Sequence, residues 1–391
     1  MRHLTVIHAF PMWLEQTQTW IYNQVSELQR QGVDAHVVCT QTKNLDQFYV
    51  ANIHCQADLS IWRRLWNKGL RVLHISHDNG YVKHLVRVGG NIRADVVHSH
   101  FGDNGWLNLG AVRSIGAKHV VTFYGYDVNY LPSQHPVWRE RYQALFREAD
   151  RILCEGSHMA RCIVELGCPE HKVKVQHLGV DVNQIVFQPR QWNSNEPLRV
   201  LISASFREKK GITYAIEALG RLNKTIPVSL TIIGDAYPDP VSQQLKQRIM
   251  ESIEQAEFSN SVRLLGYQPH EVLFREAYQH HFFLHPSVTA LNGDTEGGAP
   301  VTIIEMLATG MPVVSTLHCD IPEVMGADLR HLLAAERDVD GLYNIMRNLT
   351  DHPEDWLEIA RQGRARVLLE YDRAEQGLRL AEIYAELVEA E

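Results

Sequence analysis

The stretch Asp294-Thr-Glu-Gly-Gly-Ala-Pro-Val-Thr-Ile-Ile-Glu305-Met-Leu-Ala-Thr-Gly310-Met-Pro-Val-Val-Ser-Thr316 sets two carboxylates around a glycine-rich turn and runs on into an apolar helix and a buried strand. Gly297 and Gly298 let backbone N–H groups come close to a ligand, and Pro300 suits the first turn of a helix because its missing N–H has no intrahelical partner. Unpaired amides at a helix start attract an anion such as a diphosphate. The helix runs through Ile303, Ile304, Met306 and Leu307 and breaks at Gly310-Met-Pro312, which leaves Glu305 inside a mostly apolar helix. A carboxylate there needs a partner, and the hydroxyls of a ribose would serve. Glu296, at the mouth of the turn, is free to accept hydrogen bonds from a sugar. Taken alone, the segment is equally well explained as an ordinary helix start with an acidic cap.

Upstream, Ser203-Ala-Ser-Phe-Arg207-Glu-Lys-Lys210-Gly-Ile-Thr-Tyr214 follows an apolar run and opens a helix, so Arg207, Lys209 and Lys210 converge with a helix dipole on one point. Short apolar runs alternate with helical patterns in both halves, which predicts an α/β chain with parallel sheets covered by helices. Strands are expected at residues 4–9, 35–39, 95–98, 119–122, 151–154 and 172–176, with helices at 17–31 and 136–149. The second half repeats the grammar with strands at 199–203, 228–233, 262–265, 282–284 and 312–314, a helix at 212–222 and a last helix at about 373–388. Turn formers and two prolines replace periodicity at residues 188–197, the expected linker between domains 1–187 and 198–370, with 371–391 as a closing helix. Two doubly wound domains facing one another would place a ligand cleft at the carboxyl ends of their strands.

Composition narrows the partners. Over 391 residues the net charge is −8 and no nucleic-acid module is present, so no nucleic-acid partner is expected. The six cysteines show no zinc spacing and read as reduced thiols of a cytoplasmic protein. No run of about 18 apolar residues occurs, and the N-terminus reads as a first strand instead of a signal peptide. The Asp-x-Asp at Asp338-Val-Asp340 reads as a helix cap, so no metal site is expected. Residues 61–72 combine Trp62 and Trp66 with Arg63, Arg64, Lys68 and Arg71. Such a segment either lies on an anionic bilayer or packs its tryptophans onto its own domain.

The stretch around Glu296 and Glu305 resembles the paired-glutamate signature of the retaining glycosyltransferases of family 4, with eight residues between the carboxylates where the family has seven. The Arg207–Lys210 cluster resembles the segment that holds the donor diphosphate, and the turn after Val262-Arg-Leu-Leu-Gly266 resembles the one that meets the nucleotide base, which nominates Tyr267. Gln18 and Thr19 fall near a Glu-Thr pair that opens a helix in exopolysaccharide-type members. Val97-His-Ser-His100-Phe-Gly and Val121-Thr-Phe-Tyr124-Gly-Tyr-Asp127 match two further segments, with Tyr124 in place of a family histidine. Ala149-Asp-Arg-Ile-Leu, Leu166-Gly-Cys-Pro169 and His177-Leu-Gly-Val-Asp181 resemble colanic-acid and related transferases.

This resemblance implies the GT-B fold, with an acceptor-binding first domain, a donor-binding second domain and a last helix that returns to the first. It implies transfer of a sugar from a nucleotide diphosphate sugar, a co-substrate with no further cofactor, to a glycan or lipid-linked acceptor in envelope polysaccharide synthesis. Glu305 would hold the ribose and Glu296 the donor sugar, while Arg207, Lys210 and the turn Gly297, Gly298, Ala299 and Pro300 would hold the diphosphate. His100 and Asp127 would share the catalytic centre with Glu296, and Gln18, Thr19 and Tyr124 would meet the acceptor. The expected location is the cytoplasm, with peripheral membrane contact through residues 61–72. A nucleotide-sugar 2-epimerase and a non-catalytic nucleotide-sugar-binding subunit are the alternatives.

Overall fold

A computed structural model describes residues 3–14, 18–56 and 80–390, so residues 61–72 and the membrane contact read from them lie outside the described residues. The chain divides into two compact units, Met1–Gly179 together with Arg373–Glu391, and Val180–Asp372. Among the described residues no helix is long and apolar enough to cross a membrane.

In the first unit, strands β1 (Thr5–Ala9), β3 (Asp34–Cys39), β5 (Ile53–Cys55), β6 (Val96–His100), β7 (Lys118–Thr122), β8 (Arg151–Cys154) and β9 (Val173–Val175) form a sheet in the order β5-β3-β1-β6-β7-β8-β9. Every pairing in it is parallel. A two-stranded pair, β2 (Met12–Trp13) and β4 (Gln41–Thr42), sits beside it. Side chains alternate across the pleat. Val6, Val37 and Val96 face a cluster with Ile21, Val25 and Leu28 of the helix Thr19–Arg30 and Leu380, Ile383 and Tyr384 of the helix Arg373–Glu389. Ile7, Val38 and Val97 face the opposite cluster with Tyr81, Leu85, Ala111 and Val112. Burial on both faces explains why these strands read as continuous apolar runs.

The second unit contains β10 (Leu198–Ser203), β11 (Val228–Ile233), β12 (Val262–Gly266), β13 (Phe282–His285), β14 (Val313–Thr316) and β15 (Leu333–Ala334), all parallel, in the order β12-β11-β10-β13-β14-β15. The chain reverses direction across the sheet between β10 and β13. Loops leaving the carboxyl ends of these two strands diverge at a topological switch point, the position at which doubly wound sheets bind ligands. The helix Val301–Ala308 joins β13 to β14 and is buried almost all round, with Ile303, Ile304, Met306 and Leu307 in the core.

The expected boundaries shift. The chain enters the second unit at Val180, not at residue 188, and leaves it after Asp372. Residues 188–197 are no free linker, because two side chains anchor them. The Arg190 guanidinium, 5 % exposed, donates to the carbonyls of Ala277 and His280 and to Thr309 Oγ1 at 3.0–3.3 Å. Trp192 lies nearly parallel to Trp356 with ring centroids 6.5 Å apart. Composition announced turns, and long-range hydrogen bonds made those turns part of the core.

Arg190→Leu leaves several buried carbonyls without a donor. It should lower the unfolding free energy by about 2–4 kcal/mol in urea titrations followed by tryptophan fluorescence.

Candidate active site

The loops after β10 and β13 meet backbone to backbone. Gly211 takes φ +63°, and a β-carbon there would lie 1.8 Å from the Pro286 carbonyl oxygen, so only glycine permits this approach. Lys210, one residue earlier, is thereby carried against the second loop. Its Nζ lies 2.9 Å from Glu296 Oε2, and the two side chains are 16 % and 6 % exposed. Lys209 Nζ lies 3.1 Å from Asp294 Oδ1 and donates to the Thr295 carbonyl at 2.8 Å. Ser287 Oγ donates to Glu296 Oε1 at 2.9 Å, and His285 Nε2 stands 3.5 Å from the same oxygen. Burial alone would push the Glu296 carboxyl up, but Lys210, His285 and Lys209 outweigh it and hold it well below the usual carboxylate range.

Gly297 turns the chain at φ +78°. Pro300 caps the helix from the position before its first residue, Val301, one place earlier than expected. Glu305, 5 % exposed, does find a partner within the protein, as the apolar helix around it required. His270 Nε2 lies 2.8 Å from Glu305 Oε1. Desolvation lowers the His270 pKa, and its bond and charge interaction with Glu305 raise it further than burial lowers it.

Arg207 is more loosely placed than Lys210. Its guanidinium stands 3.7 Å from Asp294 Oδ2 and 4.9 Å above the ring of Tyr237. Tyr267, 48 % exposed, donates its hydroxyl to the Asp235 carbonyl at 2.8 Å. Asp338 caps the helix Val339–Asp351 by accepting from Gly341 N–H at 2.8 Å.

Of the predicted residues of the first unit, His100, Tyr124 and Asp127 lie at or just after the ends of β6 and β7. His8, His98 and His100 form a ladder of imidazoles on one sheet face, with ligand nitrogens within 4.8 Å of one another. Both nitrogens of His98 are engaged, with Tyr384 Oη and Thr122 Oγ1, each at 2.6 Å. Both nitrogens of His100 are engaged too, with Tyr124 Oη at 2.6 Å and His8 Nδ1 at 3.0 Å. Five of the six ring nitrogens are therefore committed to protein partners, leaving His8 Nε2, and burial depresses all three pKa values, that of His8 to about 3. His100 is fully buried behind Tyr124 and does not itself open to solvent.

Asp127, expected at the catalytic centre, is fully buried. Its oxygens accept from the backbone N–H groups of Gly102 at 2.7 Å and Tyr124 at 2.9 Å, so it clasps two strand-end loops. Burial raises its pKa to about 7 against the pull of those amides. Thr19 opens its helix and Gln18 caps it through the backbone alone, with its Oε1 buried and unpartnered.

Sequence reasoning missed His270, His285, Ser287 and His318. Three of them carried a usable signal: His285 ends β13, Ser287 follows it by two residues, and His318 follows β14 by two, all at the ligand edge of the sheet.

Lys210→Met should expose the weight of the buried pair. In the wild type the contribution of Glu296 is full above about pH 4.5 and is lost as pH falls through its depressed folded pKa. In the variant the carboxylate is buried without its cation, which costs about 3–5 kcal/mol at pH 7. Its folded pKa then rises, so proton uptake stabilises the variant, and the gap to wild type should narrow as pH is lowered from 7 to 5 in urea unfolding.

Residues 185–366 match the family model described as Glycosyl transferases group 1, and residues 17–184 match Glycosyltransferase Family 4. The amylovoran biosynthesis glycosyltransferase AmsK of Erwinia amylovora is 31 % identical over 299 residues, 75 % of this chain and 70 % of that protein. The putative colanic acid biosynthesis glycosyltransferase WcaL of Escherichia coli K12 is 32 % identical over 74 % of this chain and 70 % of its own length. Among solved structures, Anabaena Alr3699/HepE in complex with UDP-glucose superposes with a TM-score of 0.77 at 16 % identity, covering 98 % of this chain and 100 % of that one. With both halves matched to glycosyltransferase models and three quarters of its length aligned at 31 % identity to such an enzyme, the chain belongs to the family 4 glycosyltransferases of GT-B fold.

Proposed function

We propose that this glycosyltransferase retains anomeric configuration, requires no metal, and moves a sugar from a nucleoside diphosphate sugar to a hydroxyl of a growing exopolysaccharide or lipid-linked oligosaccharide. The observation that carries the proposal is the Lys210–Glu296 pair, a buried cation held at the switch point of the second unit. In the reaction the bond from the anomeric carbon to the diphosphate oxygen breaks, the acceptor oxygen bonds to that carbon, and the acceptor hydroxyl's proton leaves with the departing diphosphate. Negative charge grows on the departing diphosphate. Lys210, Arg207 and the amides of Gly298 and Ala299 are the groups that would neutralise it, in place of a metal ion. Glu305 would bind the ribose with the carboxylate oxygen that His270 does not use, and Glu296 would accept from a donor-sugar hydroxyl.

Retention follows from likeness to the family. The acceptor class follows from AmsK and WcaL, whose names place them in amylovoran and colanic acid synthesis. On the acceptor side Tyr124, Gln18 and Thr19 remain the contact residues, with His100 behind Tyr124 as its hydrogen-bond partner. A cytoplasmic site of action at the inner membrane face fits a lipid-linked acceptor and the basic, tryptophan-bearing segment at residues 61–72.

A panel of UDP-glucose, UDP-galactose, GDP-mannose and GDP-fucose should include one donor that raises the melting temperature, since selective binding stabilises the native state by mass action. With that donor, Glu305→Ala and Lys210→Ala should each lower transfer by about 100-fold or more. Wild-type transfer in both variants would remove the site assignment, and turnover of donor without acceptor to an epimeric sugar would remove the transferase reading.

A further inference from the structure

The loop that carries Glu296 is one residue longer than the family pattern, so the pattern itself does not say what fixes this carboxylate. The structure shows a clasp on its backbone. Glu296 N–H donates to His318 Nε2 at 3.1 Å, and His318 Nδ1 lies 2.6 Å from Glu336 Oε1. His318 is 1 % exposed and Glu336 26 %. Glu336 also accepts from Thr289 N–H at 2.7 Å and from Thr289 Oγ1 at 3.3 Å. One carboxylate thus ties the start of the loop at Thr289, and through the imidazole its end at Glu296.

The polarity of the two partners fixes the tautomer. An ionised carboxylate only accepts and a backbone N–H only donates, so Nδ1 carries the proton towards Glu336 and Nε2 presents its lone pair to Glu296. The Cys319 thiol, 3.2 Å from Nε2, adds a weak second donor on the same side. Burial pushes the Glu336 pKa up, but the Thr289 amide and His318 outweigh it and hold the carboxyl low, so the charge that orders the tautomer is maintained. With its amide clasped in this way, the Glu296 carboxylate faces Lys210 and Ser287 at 2.9 Å each.

We propose that His318 and Glu336 are positioning residues that hold the lengthened loop so that Glu296 presents its carboxylate to the donor sugar. The proposal rests on the reading of Glu296 given above. His318 acts through the backbone and touches neither the diphosphate nor the sugar in this scheme.

The test uses the full chain and two readouts. Hydrogen–deuterium exchange of peptides spanning residues 288–297 should rise about tenfold in His318→Leu and in Glu336→Ala. It should rise less in Glu336→Gln, whose amide oxygen still accepts from Nδ1 although its NH2 no longer accepts from Thr289 N–H. Affinity for the free nucleotide that stabilises the wild type, UDP or GDP, should change less than about twofold, while kcat falls about 10- to 100-fold, the range expected when a reacting group is displaced by roughly an ångström. Glu336, at the rim, keeps the test available should His318→Leu fail to fold. Unchanged exchange in Glu336→Ala overturns the clasp, whatever the donor. Raised exchange with unchanged kcat overturns the positioning role. A normal kcat in Glu296→Ala instead overturns the reading of Glu296, and the exchange data separate that failure from the other two.

Discussion

The donor side of this enzyme depends on a backbone contact with no side chain in it. Gly211 lies against the Pro286 carbonyl, where any β-carbon would overlap it, and this contact locks the loop after β10 onto the loop after β13. Everything polar at the site follows from that approach. Lys209 and Lys210 leave the first loop one after the other, and Asp294 and Glu296 leave the second two residues apart, so two neighbouring ion pairs form between the loops. The sheet order supplies the reason for the location: β10 and β13 are neighbours in space whose following chains run to opposite sides, which opens a crevice at their ends.

Strand ends in the first unit are fixed by different means. There is no ion pair among the described contacts of His8, His98, His100 and Tyr124; neutral imidazoles, hydroxyls and backbone amides do the joining. Period-two alternation puts His98 and His100 on the same face of β6, and parallel register sets His8 beside His98. The last helix then seals that face by presenting Tyr384 to His98, which is why a segment more than 280 residues away in sequence, |i−j| = 286, belongs to this unit. Asp127 works in the same style, accepting from the Tyr124 amide at the turn into the π-helical segment Tyr126–Tyr130 and from the Gly102 amide at the start of the helix Gly102–Ile115.

What could be read from the chain and what could not divides along the range of the interactions. Apolar runs gave the strands of both sheets except the short edge strands β5 and β15, and the position of Glu305 among Ile303, Ile304, Met306 and Leu307 was enough to require a partner for it. The identity of that partner was not legible, because His270 lies 35 positions away and nothing in its own neighbourhood distinguishes it from a surface helix residue. The setting of Asp127 was not legible for a similar reason. One of the amides that claims it belongs to Gly102, 25 positions earlier, so the local sequence showed a carboxylate and hid its occupation. The segment 188–197 was misread in the opposite sense: its prolines and asparagines are genuine turn formers, but Arg190 and Trp192 are spent on carbonyls and an indole from distant elements.

The ionic state of the donor side has a consequence for how the site meets its ligand. Lys210, 2.9 Å away, keeps the Glu296 carboxylate ionised against its burial, so this carboxylate is charged before any ligand arrives. In the proposed reaction a diphosphate entering such a site would replace one anionic partner of Lys210 with another, so the cation would need no new dehydration when charge develops on the leaving group. The carboxylate released from that pairing would then be able to accept from a hydroxyl, the role proposed for it on the sugar. Ser287 and His285 remain on its other oxygen and limit how far it can swing. Under that proposal, binding of the anion and engagement of the sugar would be linked through one shared carboxylate.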